Sequence, residues 1–190
     1  MKVVGGAARG RKLKVPKGMS VRPTAARVKE SLFNILRHDF SGLRVLDLFA
    51  GSGNLSIEAL SRGAVEAVLV DESARAAAAI RENLTLLELP GRARVWVAPV
   101  ARALRKLDQG GEKFDLIFLD PPYDKGLATM TLETIGKSSL LSPNGIVVVE
   151  HSGREAIKAG YGDLILNDRR RYGDTLLSFF HRQEIVNPTA

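Results

Sequence analysis

Five short apolar runs, at residues 44–48, 67–70, 94–97, 114–119 and 145–150, alternate with stretches whose apolar positions repeat at helical spacing. Runs of this length, bounded by polar or turn residues, are the mark of strands buried on both faces. The helical stretches between them, at about 54–62, 74–87, 100–107 and 127–136, are the crossovers that parallel strands require. Ser73 is placed to cap the second of these and Pro90-Gly91 to end it. The chain therefore reads as α/β, a Rossmann-like, mostly parallel sheet covered by helices on both faces. Beyond the fifth run, residues 164–171 and 175–180 alternate around Tyr172-Gly173-Asp174, which predicts an antiparallel C-terminal hairpin at one edge.

Ahead of the first run, Val3-Val4 and residues 12–15 flank Gly5, Gly6 and Gly10, a pattern that predicts a short β-hairpin closed by Pro16 and Gly18. From Thr24, an N-cap type of residue, Val28, Leu32, Ile35 and Leu36 fall on one face of a helix. This extension carries the positive charge. Residues 1–37 hold ten Lys/Arg and one acid, whereas the rest of the chain holds 18 bases and 20 acids, for a net charge of +7 overall. Arg9, Arg11, Lys12, Arg22 and Arg27, with Lys2, Lys14, Lys17, Lys29 and Arg37, make a field suited to a polyphosphate such as RNA. The bland alternative is a solvated basic tail. The expected division is a basic hairpin-and-helix extension over 1–40, a body over 41–183 and a tail over 184–190.

A chain of 190 residues with 45% hydrophobic and 26% charged residues has the proportions of one globular domain with a real core. No apolar run approaches the roughly 18–20 residues of a membrane span, and the first residues lack the apolar stretch of a signal peptide, so the chain is expected in the cytoplasm without a membrane partner. The chain has no cysteine, which excludes disulfides, thiolate metal sites and cysteine nucleophiles. His38, His151 and His181 show no ligand spacing, and no metal is expected.

In an open parallel sheet, ligands sit beyond the carboxyl ends of the strands, where the strand order reverses. That directs attention to residues 47–53, Asp71, Pro99, residues 120–123 and Glu150-His151. The first strand ends in Asp47-Leu48-Phe49-Ala50-Gly51-Ser52-Gly53, whose glycines allow a sharp turn and a close approach of a ligand to the backbone. Asp71 closes the second strand 20 residues after Gly51, where a carboxylate can take both hydroxyls of a ribose. Alone, this pair fits NAD as well as any other adenosine cofactor. However, Ser56 stands where the dinucleotide fingerprint has its third glycine, and Asp47 would repel a pyrophosphate. S-adenosylmethionine has a sulfonium, an α-ammonium and no phosphate, and suits that acid. A glycine-rich turn without a ligand is the remaining alternative.

Asp120-Pro121-Pro122-Tyr123 follows directly on the strand FDLIFL. Two prolines remove two backbone donors and stiffen the loop, leaving carbonyls to point into a site. A carboxylate and a carbonyl can together accept both hydrogens of an exocyclic amine on a nucleobase. Such an amine is a poor nucleophile because its lone pair is delocalised into the ring. Holding both hydrogens favours a pyramidal nitrogen with its lone pair aimed at a methyl donor, while Tyr123 supplies a face for stacking the base.

Taken together, GGAARGRKLKVP, RPTAARVKESLFNIL, VLDLFAGSGNLSIEALSRGA, FDLIFLDPPYDKG, VVVEHS and RRYGDTLLSF resemble the RsmD-type 16S ribosomal RNA methyltransferases over nearly the whole chain. DPPY and a glycine-rich loop occur across many amine methyltransferases, whereas the RPT…SLFNIL block and the YGDT hairpin are more specific to this family. The resemblance implies a methyltransferase fold and S-adenosylmethionine as cofactor. It implies methyl transfer to the N2 amine of guanine 966 in 16S ribosomal RNA, in naked RNA or the assembling small subunit, by a monomer. It places Asp120 and the Pro121 carbonyl on the amine, with Pro122 in the same loop and Tyr123 against the base. Gly51 and Gly53 would pass under the cofactor, Asp47 would face its aminocarboxypropyl end and Asp71 its ribose. Phe49, Ser52 and Glu72 complete the expected cofactor set. RNA phosphates fall to Arg9, Arg11, Lys12, Arg22 and Arg27. One departure concerns adenine: where the family has an acid after the third strand, this chain has Ala98-Pro99-Val100, which leaves adenine to backbone groups. His151 is expected to shape the pocket wall or to be a packed core histidine.

Three rivals share part of this pattern. Adenine-N6 or cytosine-N4 methyltransferases acting on DNA use the same DPPY logic, but usually carry a target-reading domain for which about 40 N-terminal residues leave little room. A non-catalytic RNA-binding assembly factor would have no need of Asp120 and Gly51-x-Gly53. An NAD-dependent oxidoreductase remains the third. The lack of cysteine argues against carbon-5 pyrimidine methylation, which needs a thiolate adduct.

Overall fold

The computed structural model describes residues 1–16, 23–36, 39–123 and 125–183. Lys17, Gly18, Arg22, Arg37, His38 and the tail 184–190 lie outside these. Eight strands form one sheet in the order β3-β2-β1-β4-β5-β8-β7-β6. Strands β1 (Arg44–Asp47), β2 (Glu66–Asp71), β3 (Ala93–Val97), β4 (Phe114–Leu119) and β5 (Leu141–Ser152) run parallel. Strands β6 (Gly160–Tyr161), β7 (Leu164–Tyr172) and β8 (Thr175–Arg182) add an antiparallel edge beside β5. The crossovers are α2 (Asn54–Ser61), α3 (Ala74–Leu86), α4 (Val100–Gln109) and α5 (Leu127–Gly136), and α1 (Pro23–Ile35) precedes the sheet. Ser73 accepts the Ala76 amide at the start of α3, as its side chain predicts.

Each face of the sheet carries its own apolar layer. Val45, Leu116, Phe118 and Val148 pack under α1, α2 and α3, where Phe33 meets Phe40 and Phe118 at ring distances of 5.5 and 6.0 Å. Leu46, Ile117, Val147 and Val149 pack under α4 and α5 on the other face. The strand order reverses between β1 and β4, which opens the crevice at their carboxyl ends.

Several expectations change. The first helix begins at Pro23, so Thr24 lies inside it rather than at its N-cap; proline suits the first helical position because it has no amide to leave unpaired. Strand β5 starts at Leu141, four residues before the expected start at Gly145, and runs on to Ser152. The two-residue β6 exists only by pairing with β7. The N-terminal hairpin reduces to one antiparallel bridge, Lys2 with Lys12, held by the Val3 amide on Arg11 O and the Leu13 amide on Met1 O.

That segment lies along α2 from end to end. Lys2 O meets Lys29 Nζ at the start of the helix, the Val4 and Gly5 amides donate to Glu58, and the Ala7 and Ala8 amides donate to Ser61 at its last residue. Gly6, at φ +72°, lies so close that a Cβ would fall 1.9 Å from Ser61 O. Val3 and Leu13 are buried in the same apolar layer as Val45. Helices α2 and α3 both run from the carboxyl edge of the sheet back to its amino edge. Arg9, exposed beyond the last turn of α2, therefore stands roughly 12 Å along that helix from its start. Arg11 donates to Leu86 O at the far end of α3.

Candidate active site

A cavity of about 740 Å³ opens at the carboxyl ends of the parallel strands. Its floor is the β1–α2 turn. Gly51, at φ +55°, lines it; Gly53, at φ +76°, does not, because the missing Cβ of Gly53 faces Ile57, Leu69 and Ile80 in the interior. The two glycines thus face different ways: Gly51 lines the cavity and Gly53 turns to the core. Phe49 and Ser52 line the same wall, with Ser52 Oγ 3.4 Å from Met1 Sδ.

Asp71 reaches across from β2. Its Oδ2 accepts the Gly51 amide at 2.8 Å and its Oδ1 the Ser73 amide at 2.8 Å. The carboxylate is fixed at the cavity wall, and each oxygen keeps a second lone pair for a ligand hydroxyl. Glu72 lies beside it. Asp47 is 2% exposed and accepts the Ser56 hydroxyl at 2.9 Å. The residue that breaks the dinucleotide fingerprint is therefore the partner of the acid that breaks it too. Burial pushes the Asp47 carboxyl up to about 7, opposed by the Ser56 hydrogen bond and helped by the charge of Asp71.

Asp120, Pro121, Pro122 and Tyr123 form the opposite wall. The Tyr123 hydroxyl donates to Glu150 Oε1 at 3.2 Å and lies 3.3 Å from Thr175 Oγ1, so the ring is tied to β5 and β8. Next to it, Ser31 Oγ of α1 and the Tyr172 hydroxyl are 2.5 Å apart. The SLFNIL block and the YGDT hairpin, 141 residues apart at this contact, meet beside the DPPY loop. Sequence spacing carries no signal for such a pairing.

Lys29 departs most from the sequence reading. It is 4% exposed, not part of a basic surface, and its ammonium meets Lys2 O at 2.7 Å, Asn54 Oδ1 at 2.9 Å and Glu58 Oε2 at 3.0 Å. Burial lowers its pKa against the pull of Glu58. The signal was its place on α1, next to Val28 and three residues before Leu32, on the flank of the apolar stripe. Of the predicted phosphate contacts, Arg9, Arg11, Lys12 and Arg27 are exposed; the first three share the N-terminal segment, and Arg27 stands apart on α1. Arg27 shares α1 with the cavity residues Val28 and Leu32, whereas Arg9 and Arg11 stand at the other edge of the sheet.

His151 is a packed core histidine rather than a cavity wall. It is 1% exposed, with Nδ1 3.0 Å from Ser152 O and Nε2 2.9 Å from Ser178 Oγ, which also accepts from Arg169 Nε. That network assigns the proton to Nδ1, and burial lowers the pKa, keeping the ring neutral.

The charge of the cavity selects among ligands. Asp71, Glu72, Asp120 and Glu150 place four carboxylates on its walls among the described residues, with Asp47 raised to about 7 beneath them, against Lys125, the amino group of Met1 and a Lys29 already paired with Glu58. An adenosine cofactor with positive charge suits this set, and one with a pyrophosphate does not. A cavity of this size also suits a nucleoside with a second planar group beside it. Among the described residues, no helix is long and apolar enough to cross a membrane.

Known proteins resemble this chain in sequence and fold. The family described as "Conserved hypothetical protein 95" matches residues 1–181. The "Putative rRNA methyltransferase YlbH" of Bacillus subtilis is 39% identical over 183 residues, covering 96% of this chain and all of the relative. The ribosomal RNA small subunit methyltransferase D of Escherichia coli is 32% identical, over 96% of this chain and 90% of its own. The solved structure of the "Putative methyltransferase yhhF from Escherichia coli" superposes with a TM-score of 0.81 at 33% identity, covering 96% of this chain and 98% of that one.

Proposed function

The chain belongs to the RsmD-type family of S-adenosylmethionine-dependent methyltransferases, and from that membership we propose that it methylates the N2 amine of a guanine in 16S ribosomal RNA. The observation that carries the reading is the shared cavity: the Asp120-Pro121-Pro122-Tyr123 loop forms one wall of the space whose other wall holds Asp71 and Gly51. The names of the relatives, ribosomal RNA methyltransferases of the small subunit among them, support the substrate class.

S-adenosylmethionine, when bound, supplies an electrophilic methyl group on a sulfonium. Asp71 would hold its ribose, Gly51 its close passage over the backbone, and Asp47 its cationic end. Phe49, Ser52 and Glu72 would complete that wall. The Asp120 carboxylate and the Pro121 carbonyl accept the two hydrogens of the guanine amine, which pyramidalises the nitrogen and turns its lone pair toward the methyl group. Tyr123 stacks on the base, and its two hydroxyl partners keep the ring in place. Asp120 is exposed, so the proton that the amine sheds can pass through its carboxylate to water. Positioning of this kind supplies most of the rate in an in-line transfer. The target base must be unstacked before it can enter.

The basic extension, through Arg9, Arg11, Lys12, Arg22 and Arg27, grips phosphates of the same RNA, and the protein works as a monomer in the cytoplasm on naked RNA or the assembling subunit. Incubation with tritiated cofactor tests the reading, using small-subunit particles from a deletion strain and duplex DNA in parallel. Label in the particles, mapped by mass spectrometry to guanine N2, is the expected result. Label in DNA, or on another base, would replace the reading with that of an adenine or cytosine methyltransferase.

A further inference from the structure

We propose that Glu150 selects guanine: its carboxylate accepts the N1–H that guanine alone presents beside an exocyclic amine. The inference rests on the guanine-N2 reading of the site. Guanine, adenine and cytosine all carry an exocyclic amine, so Asp120 and the Pro121 carbonyl cannot tell them apart. They differ at the ring nitrogens next to it, since the guanine amine lies between N1 and N3 and only N1 bears a hydrogen. N1 of guanine bears a hydrogen and donates, whereas N1 of adenine and N3 of cytosine bear a lone pair and accept. A carboxylate accepts only, so it attracts the first and repels the others.

The fold brings Glu150 to that place. Leu119 of β4 pairs with Val149 of β5, so Asp120, one residue past β4, and Glu150 both follow that last registered pair at the carboxyl ends of adjacent parallel strands, whose backbones run about 4.8 Å apart in a sheet. Both line the cavity. Glu150 Oε1 lies 3.2 Å from the hydroxyl of Tyr123, the ring assigned to stacking. A base lying on that ring with its amine at Asp120 presents its neighbouring ring nitrogen to Glu150. Asp120 would recognise the amine and Glu150 the atom beside it. A site built to bind a polar hydrogen rejects an analogue lacking it far more strongly than an apolar pocket rejects a methyl group.

The test measures kcat/KM of the full chain with S-adenosylmethionine on two sets of reconstituted small-subunit particles. One carries the target guanine and the other 2-aminopurine, which keeps the amine but has an acceptor at N1. The wild type is expected to prefer guanine by about three orders of magnitude or more. Glu150→Gln should lower kcat/KM on guanine by roughly 10- to 100-fold and shrink the preference by a similar factor. Glu150→Asp, which keeps an acceptor, should retain the preference. Tyr123→Phe should lose only part of the activity and keep the preference. A wild-type preference that survives in Glu150→Gln overturns the inference. So does a Tyr123→Phe variant that loses preference to the same extent, since Glu150 would then act only by holding the ring. Mass spectrometry of the wild-type product separates the two levels. A methyl group off guanine N2 sinks the underlying reading, whereas one on N2 with preference unaltered in Glu150→Gln sinks this inference alone.

Discussion

Lys29 Nζ lies 3.0 Å from Glu58 Oε2, with both side chains withdrawn from water, and the pair joins α1 to α2 beneath the N-terminal segment. Glu58 also accepts the Val4 and Gly5 amides and Arg62 Nε, so one buried carboxylate gathers four donors from three parts of the chain. Removing one partner of such a pair strands the other charge. Glu58→Ala is expected to cost about 3–5 kcal/mol of stability, a fall of roughly 6–20 °C in Tm for a chain of this length. Scanning calorimetry reads it directly. A variant that melts with the wild type would show that water replaces the carboxylate at no cost.

Asp71 is held by two backbone amides before any ligand arrives, so its substitution removes a preorganised acceptor. Asp71→Ala should weaken S-adenosylmethionine binding by about 1–3 kcal/mol. Isothermal calorimetry with the wild type as reference gives the number. Unchanged affinity would take the ribose away from this strand end.

The chemistry of the strand ends was legible because an acid or a glycine there interrupts an apolar run. Asp47, Asp71 and Asp120 could each be placed at the carboxyl edge from spacing alone, and all three line the cavity. What could not be read depends on which distant segments meet. Ser31 with Tyr172, Tyr123 with Thr175 and Lys29 with Glu58 are pairs set by the packing of α1 and the closing hairpin on the sheet. The direction of the N-terminal segment along α2 is likewise fixed by Glu58 and Ser61, whose side chains would otherwise read as ordinary polar positions of a helix. Lys29 shows the same limit from the other side. A long stem ending in a charge suits a surface equally well, and only the carboxylate opposite decides for the interior.

Asp120→Ala should leave cofactor affinity near normal and lower kcat by roughly two to three orders of magnitude, as the loss of a preorganised polar group does elsewhere. Tyr123→Ala should be damaging through the lost stacking face. Tyr123→Phe keeps the face but loses both hydroxyl contacts, at 3.2 and 3.3 Å, and should fall between wild type and Tyr123→Ala. Single-turnover rates on small-subunit particles rank the three. A Phe variant as inactive as the Ala variant would contradict the stacking role.

The basic extension can be tested by its two ends. Each phosphate contact adds roughly 0.7–0.9 to the slope of log affinity against log salt. Arg27 flanks the cavity on α1, whereas Arg9 and Arg11 stand at the amino edge of the sheet. If RNA spans the whole face, Arg27→Glu and the Arg9→Glu/Arg11→Glu pair should each flatten the slope, the pair by about twice as much. Cofactor affinity should not move. A slope altered only by Arg27→Glu would confine the RNA to the carboxyl edge and leave the other two arginines as solvated charge.

Asp47 is expected to make both stability and cofactor binding depend on pH, in opposite senses. Its carboxyl lies near 7 in the folded protein, against an ordinary value of 3.8, because burial disfavours the charge. Between those values the folded state keeps a proton that the unfolded chain has lost, so this group makes stability fall as pH rises through the window, and the loss persists above it. A cationic ligand favours the charged form, so binding below about pH 7 must expel that proton. Affinity for S-adenosylmethionine should therefore climb with pH toward about 7, at up to tenfold per unit, and then level off. Asp47→Asn should bind the cofactor more weakly, lose the climb, and gain stability relative to the wild type above pH 7 or so. Calorimetry in two buffers of different ionisation enthalpy would detect the released proton, and urea midpoints over the same range would show the stability change. Proton release equal to zero at about pH 6 would mean that the carboxyl does not change its charge on binding, and would remove Asp47 as the partner of the cationic end.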